Sequence, residues 1–272
     1  MKQLIILLFN YYGEKMKNKS LNICLSYSLN TINNKSLKTQ LKNIDIIIMP
    51  EMILGGYSVF KEEKDFFITK DEPFIQSLLN FTKENKILLF PGTFPIGHSH
   101  KDRKNVSLAL YNGKIINEYE KIHLFKPLNE HKLFKPGKYT KNFTVSLRGN
   151  KVKVGNIICF DLRFPELARK RAKEGMDLLI VQAWWPKERE EIWRTLLKAR
   201  AIENQTFVIG VNSKNDIHCG KSYVFDPFGN EVKFTKVTKE YEICSIDLSL
   251  INSVKKIFDN IKSAKLINDL CK

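Results

Sequence analysis

The stretch KVGNIICFDLRFPELARKRAKEGMDLLIVQAWW, residues 153–185, contains two apolar runs separated by a helical pattern. The runs KVGNIICF and DLLIVQAWW show little alternation of apolar and polar residues, which is typical of strands covered on both faces. The segment PELARKRAKEG between them ends at Gly175, and glycine commonly follows the end of a helix. This stretch therefore predicts a strand–helix–strand unit of a layered α/β fold.

The rest of the chain repeats this alternation of apolar runs and helical patterns. Helices are expected in EPFIQSLLNFTKENK and in KEREEIWRTLLKARAIEN. The turn signal Asn112-Gly113 predicts a β-hairpin, so the sheet is expected to be mixed. Six further runs are expected to form strands: LNICLSYS, DIIIMPE, KILLFPGTFP, VSLALY, TFVIGVNS and KSYVFDP.

The chain is strongly basic, with a formal net charge of +16 over 272 residues. Its Lys and Arg residues are spread from Lys2 to Lys272 instead of forming a cluster, so we expect no specific nucleic-acid partner. The hydrophobic fraction of 43% is that of a folded globular chain, and the length suits one α/β domain.

The cysteine pattern and the N-terminal segment indicate a cytoplasmic protein without a membrane partner. The five cysteines are widely spaced and form no C-x-x-C pair, which argues against a disulfide framework and against a zinc site. The apolar run from Leu4 to Phe9 is too short to span a membrane, and no small-residue cleavage site follows it. Met16 begins a second plausible start, so residues 1–19 are interpreted as an N-terminal extension.

Three polar residues follow predicted strands, where the loops of layered α/β folds carry functional groups. Glu51 follows DIIIMP, Lys121 lies in YEKIHLF and Cys159 ends KVGNIIC. A thiol is a good nucleophile as its thiolate, and a nearby carboxylate and ammonium supply the base and the positive charge that this requires. The three residues together therefore suggest a catalytic set.

The segments around these residues resemble a known family. PEMILGGYS, YEKIHLF and GNIICFDLRFPELAR are similar to the Glu, Lys and Cys signature segments of the nitrilase superfamily, the carbon-nitrogen hydrolases. The resemblance covers residues 20–250 and implies a four-layer αββα sandwich with mixed sheets, which needs no cofactor and no metal. It also implies a homodimer or larger homo-oligomer, with residues 251–272 as a C-terminal tail at the interface.

The resemblance also implies roles for individual residues. Cys159 would attack an amide carbon, and Glu51 would take the thiol proton, pass it to the leaving ammonia and then activate water. Lys121 and the backbone N–H of Phe160 would stabilise the oxyanion. Glu130, in NEHKLF, matches a second acidic position beside the lysine.

Other segments indicate a branch of the superfamily. NEHKLFKPG, WWPKEREEIWRTLLKARAIENQTFVIGVN and VFDPFGN are similar to the omega-amidase-type branch, which hydrolyses small carboxylate-bearing amides such as 2-oxoglutaramate. The alternatives are another branch, either an N-carbamoyl amino acid hydrolase or a deaminated-glutathione amidase, and a basic binding protein that retains the fold.

Substrate contacts are expected from four further residues: Tyr57, Trp184, Trp185 and Arg189. The additional Trp184 in VQAWWP stands where relatives more often carry Asn, which bears on substrate choice. Arg163 and Glu166 are interpreted as a structural ion pair or helix cap, and His123 as a packing residue.

Overall fold

The apolar runs form the strands of two mixed β-sheets that lie face to face. The computed structural model describes residues 19–214, 218 and 220–263. Within this part of the chain, helices cover the outer face of each sheet. The N-terminal extension predicted at residues 1–19 lies, except for its last residue, outside the described residues.

The first sheet has the strand order β12-β13-β1-β2-β3-β5-β4, with β6 also paired to β5. Strands β1, β2 and β3 run parallel, whereas β13 is antiparallel to β1 and β5 is antiparallel to β3, β4 and β6. The strands are β1 (Ser20–Ser26), β2 (Ile46–Ile48), β3 (Leu88–Phe90), β4 (Thr93–Ile96), β5 (Lys104–Tyr111), β6 (Lys114–Glu120), β12 (Lys236–Val237) and β13 (Tyr241–Asp247).

The second sheet has the order β11-β10-β9-β8-β7. Its central strands β8, β9 and β10 run parallel, and its two edge strands are antiparallel to their neighbours. The strands are β7 (Phe143–Leu147), β8 (Asn150–Ile158), β9 (Leu178–Ala183), β10 (Phe207–Asn212) and β11 (Tyr223–Phe225).

Eight α-helices are assigned in the described residues. Pro73 and Pro165 each begin a helix, where the missing N–H of proline costs no hydrogen bond. The helices are α1 (Lys35–Lys38), α2 (Val59–Glu62), α3 (Pro73–Asn85), α4 (Glu130–Leu133), α5 (Pro165–Lys173), α6 (Glu190–Asn204), α7 (Ser249–Ile257) and α8 (Asn260–Ser263). Short 3₁₀ helices span Leu29–Asn33, Leu41–Asn43, Gly56–Ser58, Lys126–Leu128, Cys159–Arg163 and Lys187–Arg189.

Three apolar cores separate the layers. The central core joins residues of both sheets, among them Ile23 and Ile48 from the first and Val154 and Ile180 from the second. A second core lies between the second sheet and helices α5 and α6, and a third lies between the first sheet and helices α1 and α3. The predicted four-layer αββα sandwich with mixed sheets is therefore confirmed.

The local predictions agree with this architecture. Asn112 and Gly113 have φ angles of 48° and 75° and form the turn of the β5–β6 hairpin, as predicted. Helix α7 overlaps the predicted C-terminal tail, yet Ile251 and Val254 are buried against the body of the protein. No helix among the described residues is both long and apolar enough to cross a membrane.

Candidate active site

Glu51 lies in the loop that follows the C-terminal end of β2, a central strand of the first sheet. The Met52 backbone N–H donates to Thr93 Oγ1 at 3.0 Å, which fixes this loop against β4. Gly92 lies beneath the loop with a φ of 100°, and a Cβ there would be 2.8 Å from the Pro50 carbonyl oxygen. A glycine is therefore required at position 92 for the loop to take this path.

Lys121 follows β6 and reaches two carboxylates. Its Nζ lies 2.8 Å from Glu51 Oε1 and 2.7 Å from Glu130 Oε1, and all three side chains are almost fully buried. Glu130 is the first residue of α4, and its Oε2 accepts the Phe125 backbone N–H at 2.6 Å. The two glutamates therefore hold one ammonium group between them.

Asn105 and Tyr57 complete this polar cluster. Asn105 Nδ2 and the Tyr57 hydroxyl each lie 2.8 Å from Glu51 Oε1, and the same hydroxyl contacts Glu130 Oε1. Glu51 Oε1 thus faces three donors, including Lys121 Nζ. Glu51 Oε2 is buried and has no hydrogen-bond partner among the described residues. This second oxygen is consequently the one free to accept a proton.

Cys159 stands at the point where β8 ends and a short 3₁₀ helix begins. Its φ of 47° lies in the left-handed region, which is rare outside glycine and common at functional sites. The Asp161 carboxylate holds this turn by accepting the Ile158 backbone N–H at 3.2 Å and the Tyr119 hydroxyl at 2.7 Å. The sharp turn directs the backbone away from the sheet immediately after the thiol.

The ionisable groups of the cluster are coupled. Burial and the Glu51 charge raise the pKa of the Cys159 thiol, whereas the Lys121 charge opposes this shift. Burial alone would lower the pKa of Lys121, but Glu51 and Glu130 raise it well above its usual value. Lys121 is therefore a charged ammonium, and Cys159 is a protonated thiol that needs a base.

An inner cavity of about 420 Å³ opens above the thiol. Its aromatic wall includes Trp184, whose ring centroid lies 4.9 Å from that of Tyr57 and 4.0 Å from that of His218. Arg163 and Arg189 supply two guanidinium groups to the same cavity, with Arg163 placed 4.9 Å over the Trp185 ring. The cavity thus combines a thiol, carboxylates and positive charge.

An outer groove of about 1420 Å³ lies on the other side of this wall. Glu51, Tyr57, Leu128 and Trp184 line both the inner cavity and the outer groove. The Trp184 ring fits against Gly56, where an added Cβ would be 3.1 Å from the indole. Trp184 and Tyr57 therefore form much of the partition between the two spaces.

The structure brings the predicted site residues together. Glu51, Glu130, Cys159 and Phe160 line the inner cavity, and Lys121 has its ammonium between the two carboxylates. The Phe160 backbone N–H is in the first turn of the 3₁₀ helix, where helices leave N–H groups without intrahelical acceptors. The four predicted substrate contacts also line the cavity: Tyr57, Trp184, Trp185 and Arg189.

His123 is separate from this cluster, but it is partly exposed and bound to Asp161 and is therefore not the packing residue expected from the sequence. Its ring stacks on Phe164 at 3.6 Å, and its Nδ1 lies 2.8 Å from Asp161 Oδ1. It therefore supports the turn at Cys159 from outside the cavity.

The sequence interpretation missed three cavity or cluster residues. Arg163 was expected to form an ion pair or cap with Glu166, but among the described residues no such ion pair is present, and Arg163 lines the cavity. Asn105 lies inside a predicted strand and carries no motif. His218 is buried beside Trp184, and burial lowers its pKa although the Glu51 charge opposes this shift.

A buried polar chain joins the two sheets directly below the site. Asn156 on β8 donates to Ser107 Oγ at 3.0 Å, and the Ser107 hydroxyl contacts Gln182 on β9. Gln182 Nε2 then donates to the Met49 carbonyl oxygen at 2.7 Å, two residues before Glu51. Such buried hydrogen bonds are costly to leave unmade, so they fix the register between the sheets.

The described residues contain no group of three His, Cys, Asp or Glu side chains placed to bind a metal ion. Acidic residues in the site instead surround the Lys121 ammonium. The arrangement places a thiol, a carboxylate with one unpaired oxygen and a buried ammonium close together.

Comparisons with known proteins identify the family of this chain. The family model described as Carbon-nitrogen hydrolase matches residues 21–256. The Staphylococcus lugdunensis protein named Hydrolase in agr operon is 33% identical over 232 residues, covering 81% of this chain and 96% of that protein. The 2-oxoglutaramate amidase of Bacillus subtilis (strain 168) is 31% identical over 235 residues, covering 83% and 88%.

A solved structure gives the same result for the fold. Saccharomyces cerevisiae Nit3, a member of branch 10 of the nitrilase superfamily, matches with a TM-score of 0.75 and 25% sequence identity. The match covers 90% of this chain and 96% of that one. The similarity therefore extends over both sheets and their helices.

Proposed function

This chain belongs to the carbon-nitrogen hydrolase family and hydrolyses carbon–nitrogen bonds other than peptide bonds, and from this premise we propose that it cleaves the terminal amide of small carboxylate-bearing amides. The observation that carries the proposal is the placement of Cys159, Glu51 and two guanidinium groups around one cavity of about 420 Å³. The products are a carboxylic acid and ammonia.

In the first step, Cys159 Sγ attacks the amide carbon while the thiol proton passes to Glu51 Oε2. The raised pKa of the thiol makes this proton transfer necessary, because little thiolate is present beforehand. The C=O π electrons move to oxygen and form an oxyanion. We assign its stabilisation to Lys121 Nζ and the Phe160 backbone N–H, and each such donor typically contributes about 3 to 4 kcal/mol.

In the second step, the tetrahedral intermediate collapses. The C–N bond breaks, Glu51 returns its proton to the leaving nitrogen, and ammonia departs from a Cys159 thioester. Water then attacks the thioester carbon while Glu51 accepts a water proton. Collapse of this second intermediate breaks the C–S bond and releases the acid, and the proton on Glu51 returns to the Cys159 sulfur.

Two arginine side chains of the cavity support a substrate with a remote carboxylate. Arg163 and Arg189 both line the cavity, and a guanidinium group matches the geometry of a carboxylate. Arg163 is half-buried over Trp185, whereas Arg189 is exposed, so we assign the main carboxylate contact to Arg163. The 2-oxoglutaramate amidase of Bacillus subtilis is one relative whose name supports this substrate class.

The test is a series of amides measured by ammonia release at two ionic strengths. We expect 2-oxoglutaramate and succinamate to exceed their methyl esters by at least about tenfold in kcat/KM, with a smaller difference at high salt. Equal hydrolysis of acids and esters would refute the anionic substrate class. Preference for N-carbamoyl amino acids or deaminated glutathione would assign the chain to one of the alternative branches.

Two matched variants locate the carboxylate contact. Arg163→Gln should raise KM for succinamate about tenfold and leave the methyl ester unaffected, because a partly buried charge pair is screened little by water. Arg189→Gln should raise it only about twofold to threefold, since exposed ion pairs are weak. The reverse order would place the contact at Arg189.

We also propose a homodimer or larger homo-oligomer in the cytoplasm. Its support is the exposed apolar surface at Ile192 and Ile202 on α6 and at Phe258 after α7. Light scattering of the full chain at micromolar concentration tests the assembly, and a monomer would contradict it.

The free thiols of Cys24 and Cys244 are consistent with a reducing compartment, which cell fractionation would test.

A further inference from the structure

The hydroxyl group of Tyr57 lies between the two carboxylates of the site. It is 2.8 Å from Glu51 Oε1, and it also contacts Glu130 Oε1. Asn105 Nδ2 lies 3.3 Å from the same hydroxyl oxygen and can donate to it. The two glutamates therefore meet at one phenol as well as at the Lys121 ammonium.

A phenol has one hydrogen to donate, yet two carboxylate oxygens face it. When both carboxylates are ionised, the Tyr57 hydroxyl donates to one of them. It stays close to the other, because Lys121 binds both carboxylates and holds them together. Asn105 does not remove this conflict, because its amide group donates and Tyr57 receives that bond as an acceptor. The Tyr57 hydroxyl can therefore donate its single hydrogen bond either to Glu51 or to Glu130.

We propose that Tyr57 is a positioning residue that turns its hydroxyl hydrogen from Glu51 to Glu130 when Glu51 takes the Cys159 proton. This inference rests on the proposed role of Glu51 as the base. No covalent bond of Tyr57 breaks, because only the C–O torsion rotates. The Tyr57 hydroxyl then donates to Glu130, the carboxylate that remains ionised, because a charged acceptor forms the stronger hydrogen bond. Glu130 thereby gains a donor while Glu51 is neutral.

The surroundings keep the phenol protonated during this cycle. Burial and the charges of Glu51 and Glu130 raise the pKa of Tyr57 well above its usual value. The charged or titratable groups that face the cluster are Glu51, Glu130, Lys121, Cys159, His218, Arg163 and Arg189. Of these, the two carboxylates are the ones within hydrogen-bond reach of the phenol.

Tyr57→Phe tests the inference through the pH dependence of kcat. Without the Tyr57 hydroxyl, the pair formed by Glu51 and Glu130 loses a hydrogen-bond donor and binds a proton more tightly. The acid limb of the pH profile of kcat should therefore move up by about one pH unit. We expect kcat to fall at least about tenfold and KM to change by less than about threefold. The ring contact with Trp184 at 4.9 Å is retained, and circular dichroism would verify the fold.

The matched control is Tyr111→Phe. The Tyr111 hydroxyl donates to the Ser146 carbonyl oxygen at 3.0 Å, outside the cavity. This variant should keep the parental acid limb and kcat. An unchanged acid limb in Tyr57→Phe, or an equal shift in both variants, would overturn the proposal.

A second substitution retains the packing and should act in the opposite direction. Site-specific replacement of Tyr57 by 3,5-difluorotyrosine keeps the hydroxyl and makes it a stronger donor. The carboxylate pair should then release its proton more readily, and the acid limb should move to lower pH. Shifts of the same sign in this protein and in Tyr57→Phe would contradict the proposed role, because a purely structural effect has no such reversal.

A measurement without turnover separates this inference from the proposed function. In Cys159→Ala protein carrying ¹³C-carboxyl glutamate, the resonance that disappears in Glu130→Gln identifies Glu130. Its titration midpoint should rise when Tyr57→Phe is added, because Glu130 loses a donor. An unchanged midpoint would overturn the inference, whereas absence of hydrolysis of every amide would instead refute the proposed function.

Discussion

Lys121 and Glu51 form a fully buried ion pair, with Nζ 2.8 Å from Oε1. Removing two charges from water costs several kcal/mol per ion, so such a pair persists only where further hydrogen bonds satisfy both groups. Glu130 supplies the second acceptor for Lys121, and Asn105 supplies a second donor to Glu51. The position of the ammonium is therefore fixed by partners on separate segments of the chain.

Lys121→Arg should reduce kcat by at least about a hundredfold, because the planar guanidinium is larger than the ammonium and cannot occupy the same position between two carboxylates. Ammonia release from succinamate is the measurement. Lys104→Arg is the control, since Lys104 pairs with Glu120 at 2.9 Å on the partly exposed hairpin. Activity of Lys121→Arg within tenfold of the parent would exclude the proposed oxyanion contact.

Glu51→Gln should lower kcat by about 10³-fold, because an amide cannot take the thiol proton. The substitution preserves the size of the side chain, so the fold should survive. Glu118→Gln is the matched control, since Glu118 pairs with Lys70 at the surface and should retain full activity. If Glu51→Gln kept kcat within tenfold, another group would have to be the base.

Cys159→Ala and Cys159→Ser should both abolish ammonia release and leave the circular dichroism spectrum unchanged. Neither side chain forms a thioester, and the serine hydroxyl holds its proton too tightly for this site. Cys24→Ala removes another buried thiol, located in the outer core of the first sheet, and should remain active. Full activity of either Cys159 variant would refute the covalent mechanism.

Trp184→Ala should widen the range of substrates. The change removes an aromatic wall shared by the inner cavity and the outer groove, and the combined space should accept amides with longer or branched chains. We expect the kcat/KM ratio of a longer amide to succinamate to rise at least about tenfold. Leu128→Ala, at the exposed part of the same wall, should have a smaller effect. An unchanged substrate ranking in Trp184→Ala would show that the indole does not limit substrate size.

Stability should also depend on pH through Glu130. Burial raises the pKa of Glu130, Lys121 opposes the shift, and Glu51 adds to it. The folded state then binds this proton more tightly than the unfolded chain does, so this contribution to stability decreases as pH rises from the usual carboxyl pKa through the raised one. Urea unfolding of the parent and Glu130→Gln across this interval is the measurement. Parallel stability curves for the two proteins would contradict the shift.

The fold could be predicted because its signals are local. Apolar runs without alternation identify strands covered on both faces, and Asn112-Gly113 identifies the hairpin. Glu51, Lys121 and Cys159 could be found because they follow strands within recognisable motifs. Glu51 and Cys159 follow strands of the parallel parts of the two sheets. Lys121 follows β6, which is antiparallel to β5 and therefore ends at the same side of the first sheet as β3.

The remaining site residues depend on information that the sequence does not display locally. Asn105 faces Glu51 only because β5 pairs with β3, which lies next to β2 in the first sheet. Arg163 lies in a turn whose direction is set by the left-handed backbone of Cys159, and this conformation has no glycine to signal it. His218 is far along the chain from Trp184, yet it pairs with Pro186 in an isolated β-bridge and lines the cavity.

The buried hydrogen-bonded chain Asn156–Ser107–Gln182 determines the order in which activity and folded structure are lost. The first sheet carries the proposed base Glu51 and the Lys121 ammonium, whereas the second carries the proposed nucleophile Cys159 and the Trp184 indole. A small slip between the sheets would part the thiol from its base while each sheet kept its own backbone ladder. Loss of turnover therefore marks the first separation of the sandwich, ahead of the melting of either half.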